Sequence, residues 1–189
     1  MRRMASFNSI IADAVVSSYD FASCGTIVDV GGGNGSLLAR ILKVHPRLRG
    51  VLADLPHVLD GAQRRLTAEN LAGRSEVVGA DFFKSVPEGD TYLLKWIVHD
   101  WDDQPAEMIL NNCRAAMNPG GRVLLVESIV EPRHASSLAK FMDLSMLVMT
   151  GGRERTEAEY QTLLGRAGLK ITNVISTGTE LSLIEAQRG

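Results

Sequence analysis

The chain has 189 residues, 45% of them hydrophobic and 22% charged, enough for one domain with a sizeable core. A net charge of -2 without any lysine- or arginine-rich block gives no footprint for nucleic acid, and no apolar run is long enough to span a membrane. Arg2-Arg3 precedes no continuous apolar run, which argues against a signal peptide, and the distant Cys24 and Cys113 read as reduced thiols of a cytoplasmic protein.

Phe7, Ile10, Ile11, Ala14, Val15 and Tyr19 recur at helical spacing and predict an amphipathic first helix. Thr26–Val30 is a short apolar, β-branched run, expected as a buried strand. Gly31-Gly32-Gly33-Asn34-Gly35 then turns the chain, and Leu37, Leu38, Ile41 and Leu42 open a helical stripe. A second strand is predicted at about 50–54, with Pro56 starting the next helix. Ser75–Gly79 is a weaker third strand and 91–95 the fourth. A helix at about 105–117 ends at Asn118-Pro119-Gly120-Gly121, before a fifth strand at 122–127. A strongly apolar helix is predicted at 138–149. Another runs from Thr156 to Ala167, with a Thr156–Glu159 capping box and Gly168 as its stop. Strands at 170–175 and 181–186, joined by a turn at Thr177-Gly178, close the chain. Strands alternating with helices define an α/β layered domain with a largely parallel sheet, and the closing pair is expected to include an antiparallel strand.

Strand, glycine turn and helix together make the layout of a nucleotide-type cofactor site, because glycines accept positive φ and admit a ligand close to the backbone. Gly31-x-Gly33-x-Gly35 is present, but the third glycine of the dinucleotide pattern would fall at Ser36. The spacing therefore fits S-adenosylmethionine better than NAD; the plain alternative is a turn that only packs a helix on a strand. Ligands of open α/β sheets sit at the carboxyl ends of strands. Asp54 ends strand two, 23 positions after Gly31, and can accept ribose hydroxyls or cap the following helix. Asp81-Phe82-Phe83, after strand three, offers an acceptor and an aromatic face for adenine, with Phe83 itself read as core. Lys95-Trp96 ends strand four, where a lysine needs a partner unless it snorkels to solvent.

His99 follows strand four directly, in His99-Asp100-Trp101-Asp102-Asp103, and imidazole is the side chain best suited to act as a base near neutral pH. His45, His57 and His134 have no such setting and read as structural. Asp102 and Asp103 precede a helix and read as caps rather than metal ligands, so no metal is expected. Glu127 closes strand five, where its carboxylate could orient the imidazole. Glu154, in a loop, reads as a solvated charge, and Met142, Met146 and Met149 form a stripe that pattern alone assigns to core.

Taken together, these segments resemble the small-molecule O-methyltransferases of the caffeate and isoflavone type and their bacterial relatives in antibiotic and pigment pathways. The matching runs are Val28 to Gly35, Asp54-Leu55-Pro56-His57-Val58, Asp81-Phe82-Phe83, Leu94 to Asp103, Asn118 to Gly121, Glu127, Asp143 to Leu147, and Gly151-Gly152-Arg153-Glu154-Arg155-Thr156. The resemblance implies a Rossmann-like class I methyltransferase fold with a mostly parallel seven-stranded sheet and helices on both faces. It implies S-adenosylmethionine as donor, S-adenosylhomocysteine as product, and a hydroxylated aromatic or polyketide acceptor. Gly31, Gly33, Asp54, Leu55, Asp81, Phe82 and Lys95 are the implied cofactor contacts. His99 is the implied base, flanked by Glu127 and Glu154, with Trp96, Met142 and Met146 toward the acceptor. Members also carry a helical N-terminal domain that builds a homodimer, and this chain is expected to be the catalytic domain alone, mostly monomeric. Competing expectations are a cofactor-binding domain with lost or altered methyl transfer, and an NAD-dependent oxidoreductase, which Ser36 disfavours.

Overall fold

A computed structural model describes residues 2–130 and 152–189. The predicted helix at 138–149, with Met142, Met146 and Met149, lies outside the described residues, as do His134 and the side chain of Phe7. Helix α1 (Arg2–Ser18) leads into strand β1 (Thr26–Val30), then α2 (Ser36–Val44), β2 (Arg49–Asp54), α3 (Leu59–Ala68) and β3 (Ser75–Gly79). Strand β4 (Gly89–Lys95), α4 (Asp103–Ala116) and β5 (Met117–Ser128) follow, and α5 (Glu157–Arg166), β6 (Leu169–Ser176) and β7 (Leu181–Arg188) complete the described chain.

The seven strands form one sheet in the order β3-β2-β1-β4-β5-β7-β6. β1 to β5 pair in parallel, whereas β7 runs antiparallel to both β5 and β6. This is the expected α/β architecture, with the antiparallel strand at the carboxyl end. Neighbouring residues of the central strands serve opposite faces, as the two-residue period of a strand requires. Ile27, Leu93, Leu124 and Val126 join a core with α1, α2 and α3, while Val28, Tyr92, Leu94, Val123 and Leu125 join another with α4 and α5. Strands buried on both faces read as continuous apolar runs, which is why β1 and β4 were visible in the sequence. Among the described residues no helix is long and apolar enough to cross a membrane.

The structure corrects several local expectations. Ile10 is 62% exposed; the buried stripe of α1 is Ile11, Ala12, Val15 and Val16. Pro56 does not start α3, which begins three residues later at Leu59, after a turn closed by Val58 N–H donating to Leu55 O at 2.9 Å. β5 begins at Met117, so Asn118-Pro119-Gly120-Gly121 belongs to the strand rather than to a loop before it. Asp102 stands at the N-cap of α4 but makes no side-chain cap bond, and Asp103 binds arginines instead. The capping box of α5 is present as expected, with Thr156 and Glu159 bonded reciprocally.

Candidate active site

Strand order reverses between β1 and β4: β2 and β3 lie beyond one, β5 beyond the other. The crevice at the carboxyl ends of such a pair is where open α/β sheets hold ligands. Here it receives the glycine turn from β1 and the Lys95–His99 segment from β4. Gly31 N–H donates to Ala53 O at 2.8 Å, and Asp54 accepts from Gly33 N–H at 2.8 Å and Leu55 N–H at 2.7 Å, so the loop is tied to the end of β2. Gly31 has φ of 66°, and a Cβ there would lie 2.5 Å from Ile97 Cδ1, so only glycine fits without displacement. At Gly33 nothing lies within 4 Å of that position, and the loop faces open space. A cleft of about 300 Å³ is bounded here by Asp29, Gly31, Gly32, Gly33 and Lys95, among others.

Asp81 and Phe82 follow β3 at the neighbouring strand end. Asp81 accepts from Phe83 N–H at 3.0 Å and faces Lys84 Nζ at 3.2 Å. Phe82 Cε1 lies 3.6 Å from the Cβ position of Gly31, which places this ring against the glycine loop. Phe83 stacks edge-on with Trp101 at 4.7 Å between centroids, in keeping with its reading as core. Leu55 is 41% exposed beside Asp54.

Lys95 lines the cleft with its Nζ 3.9 Å from the centroid of the Trp96 ring. Burial lowers its pKa, opposed by the charges of Asp29 and Glu127. Asp29 is a residue that the sequence reading passed over. It is 3% exposed, its Oδ2 has no hydrogen-bond partner among the described residues, and burial pushes its pKa up to about 7 against the pull of Lys95. A carboxylate inside Thr-Ile-Val-Asp-Val is as costly as a lysine at a strand end, and the same argument applied to both would have found it.

Trp96 turns the chain with φ of 56°, a left-handed conformation rare for a bulky residue. Ile97 then returns to right-handed helical geometry, and the N–H groups of Ile97 and Val98 converge on Glu127 Oε1 at 3.1 and 2.9 Å. Successive amides aimed into one concavity form an anion-holding nest. Glu127 is fully buried, and burial raises its pKa to about 7, resisted by the charge on His99 and by these two amides. The strained turn thus docks β5's carboxylate against the segment that carries His99.

His99 sits in a 3-10 turn (Val98–Asp100) and is 7% exposed. Its Nδ1 lies 3.2 Å from Glu154 Oε1 and 3.9 Å from Glu127 Oε2, and its Nε2 lies 3.4 Å from Asp100 Oδ1. Among the described residues only Nδ1 of the ring makes a hydrogen bond, to Glu154; in the neutral tautomer that donates there, the lone pair is on Nε2, on the Asp100 side. Burial alone would lower the imidazole pKa, but the Glu154 hydrogen bond and the charges of Glu127, Glu154 and Asp100 outweigh it and raise the pKa. Glu154, expected from pattern to be a solvated loop charge, is 7% exposed. It is also the carboxylate nearest the ring; Glu127 stands behind it.

The sequence reading also missed what holds Glu154 there. Arg153 N–H donates to His99 O at 2.9 Å, and a Cβ on Gly152 would come within 2.0 Å of that oxygen, so the backbones are in direct contact. Arg155 is wholly buried and donates to Val98 O at 3.1 Å, Trp101 O at 2.8 Å and Asp103 Oδ1 at 3.0 Å. No local pattern announces a buried arginine.

These features define a glycine-lined crevice at the ends of β1 and β4 and a carboxylate-flanked histidine on the turn that follows β4. The O-methyltransferase domain family matches residues 1–170, and the chain belongs to it. It is 42% identical to phenazine O-methyltransferase PhzM of Lysobacter antibioticus over 97% of this chain and 54% of that protein. It superposes on the structure of the mitomycin 7-O-methyltransferase MmcR with a TM-score of 0.94 and 38% identity, over all of this chain and 56% of that one. It also superposes on an O-methyltransferase from neocarzinostatin biosynthesis, solved with S-adenosylhomocysteine and 1,4-dihydroxy-2-naphthoic acid, with a TM-score of 0.87 and 36% identity over 98% and 58% of the two chains. The chain thus spans about half the length of these relatives.

Proposed function

We propose that this chain transfers a methyl group from S-adenosylmethionine to a hydroxyl of a small aromatic or polyketide-type acceptor, with His99 as general base. Three features support the cofactor. The glycine loop opens onto the cleft at Gly33. Each Asp54 oxygen accepts one amide, leaving part of a carboxylate's roughly fourfold acceptor capacity for ribose hydroxyls. Asp81 and Phe82 would offer an adenine edge an acceptor and its face a ring, a reading supported by Phe82 packing against the glycine loop at Gly31. Gly31 and Lys95 line the cleft, and the exposed Leu55 adjoins Asp54. The neocarzinostatin relative holds the demethylated product of this cofactor.

When bound, S-adenosylmethionine supplies a methyl group on a sulfonium centre whose leaving group is already activated. The remaining work falls to the protein: aligning the acceptor and removing its proton. The Nε2 lone pair of His99 takes that proton. The imidazolium that results is stabilised by Glu154 at 3.2 Å, with Glu127 and Asp100 at 3.9 and 3.4 Å. Family resemblance alone gives Trp96, Met142 and Met146 a role in acceptor recognition. Flat hydroxylated aromatics are the acceptor class, in line with the naphthoate seen in the neocarzinostatin relative. The free, buried thiols of Cys24 and Cys113 suit a reducing compartment, and the cytoplasm is the location we assign.

The observation that carries this reading is the paired carboxylate contact on Nδ1 beside the glycine crevice. Calorimetry with S-adenosylmethionine, its demethylated product and NAD tests the cofactor. Mass-shift assays on a panel of naphthols and phenols test the transfer. Binding of S-adenosylmethionine without turnover on any hydroxylated acceptor would favour a cofactor-binding domain instead.

A further inference from the structure

We infer that Arg155 is a positioning residue: its guanidinium sets the spacing between His99 and Glu154 by clamping the turn that carries one to the segment that carries the other. The inference rests on the reading of His99 as general base. Arg155 neighbours Glu154 in sequence, and its side chain reaches the carbonyls on both sides of His99. It donates to Val98 O at 3.1 Å and to Trp101 O at 2.8 Å. The same guanidinium meets Arg153 O at 3.4 Å and Asp103 Oδ1 at 3.2 and 3.0 Å through Nε and Nη2. Its backbone is anchored too, since Val130 N–H donates to Arg155 O at 3.0 Å and Ile129 bridges to it beyond the end of β5. One rigid, planar fork therefore spans the His99 turn, the Glu154 segment and the start of α4. A lysine cannot copy this, because a single ammonium lacks the fork that meets several carbonyls at fixed angles.

The charged and titratable groups around His99 come from each element packed on it. Asp100 is on its own turn, Glu127 on β5, Glu154 and Arg155 on the segment before α5, and Tyr160 on α5, whose buried hydroxyl feels both glutamates. Asp103 and Arg153 lie on the outer side of the clamp. A clamp and a mere charge give different results when Arg155 is changed. As a charge, Arg155 repels a proton on His99, so its neutralisation would raise the imidazole pKa and its replacement by lysine would leave it unchanged. As a clamp, either change lets Glu154 drift from Nδ1, and the pKa falls.

The test is an imidazole NMR titration of His99 in the full chain and in Arg155→Lys and Arg155→Gln, alongside steady-state kinetics. The expected result is a lower His99 pKa in both variants. Turnover should fall by up to about 10²-fold, with KM for S-adenosylmethionine unchanged. A folded Arg155→Lys with the wild-type pKa and turnover, or a rise in Arg155→Gln, would overturn the clamp. If neither variant folds, proton exchange on the wild-type guanidinium decides. Protected Arg155 N–H protons support the clamp, and free exchange refutes it. His99→Ala separates the two readings: full activity there sinks the base assignment, while the NMR titration still reports on the clamp.

Discussion

His99 Nδ1 and Glu154 Oε1 meet at 3.2 Å across 55 residues of sequence, and both residues are only 7% exposed. This contact gives Nδ1 its hydrogen-bond partner and helps to raise the imidazole pKa. In Glu154→Gln the ring keeps a hydrogen-bond partner but loses the charge. The wild-type rate should rise with pH through an apparent pKa above the usual 6.5, because only the neutral ring can take the acceptor proton. In the variant that limb should move to lower pH while the plateau rate falls. Equal limbs in the two proteins would remove Glu154 from the account.

Asp54 holds the glycine loop through Gly33 and its own end of β2 through Leu55. Asp54→Ala is expected to weaken S-adenosylmethionine binding by on the order of 1.5–3 kcal/mol while the fold persists. Calorimetry on the variant gives the answer, and unchanged affinity would reduce Asp54 to a brace for the loop.

Asp29 and Glu127 both have pKa values raised to about 7 by burial. The folded chain therefore holds protons that the unfolded chain has already released above about pH 4. Stability should fall as pH rises from about 4 to 7, by on the order of 3 kcal/mol for one such group. Asp29→Asn removes one contributor and should flatten the slope. Urea unfolding at pH 5 and pH 8 measures it; an identical slope in the variant would contradict the buried-carboxyl explanation.

Gly152 presses on the turn so closely that an added Cβ would sit 2.0 Å from His99 O. Gly152→Ala must push the Glu154 segment away. Turnover is expected to drop by about 10²-fold, with cofactor affinity intact, since the glycine crevice is untouched. A variant with normal turnover would show that the segment has room to adjust.

Much of the fold was legible because its strands are apolar and its turns carry glycine or caps. Thr26–Val30 and Ser75–Gly79 emerge with the bounds read from sequence, and the Thr156–Glu159 box marks the start of α5 correctly. Ile10 shows the limit: periodicity finds a helix but does not say which edge of its stripe is covered. The glycine-turn end of the candidate site was legible because a glycine turn and a carboxylate at a strand end have fixed spacing. The Glu154 side was not, except through family resemblance. Its geometry comes from Arg155 and Asp103, 52 residues apart, and no short-range pattern encodes such a contact.

The most direct measurement is turnover of His99→Ala on a weakly acidic hydroxylated acceptor, with S-adenosylmethionine affinity determined on the same protein. The expected result is a loss of roughly 10²–10⁴-fold in turnover with cofactor binding nearly unchanged, and a smaller loss on acidic phenols that reach the site already ionised. Near-normal turnover on the weakly acidic acceptor would contradict general-base catalysis by His99 and leave alignment of the acceptor as the source of activity.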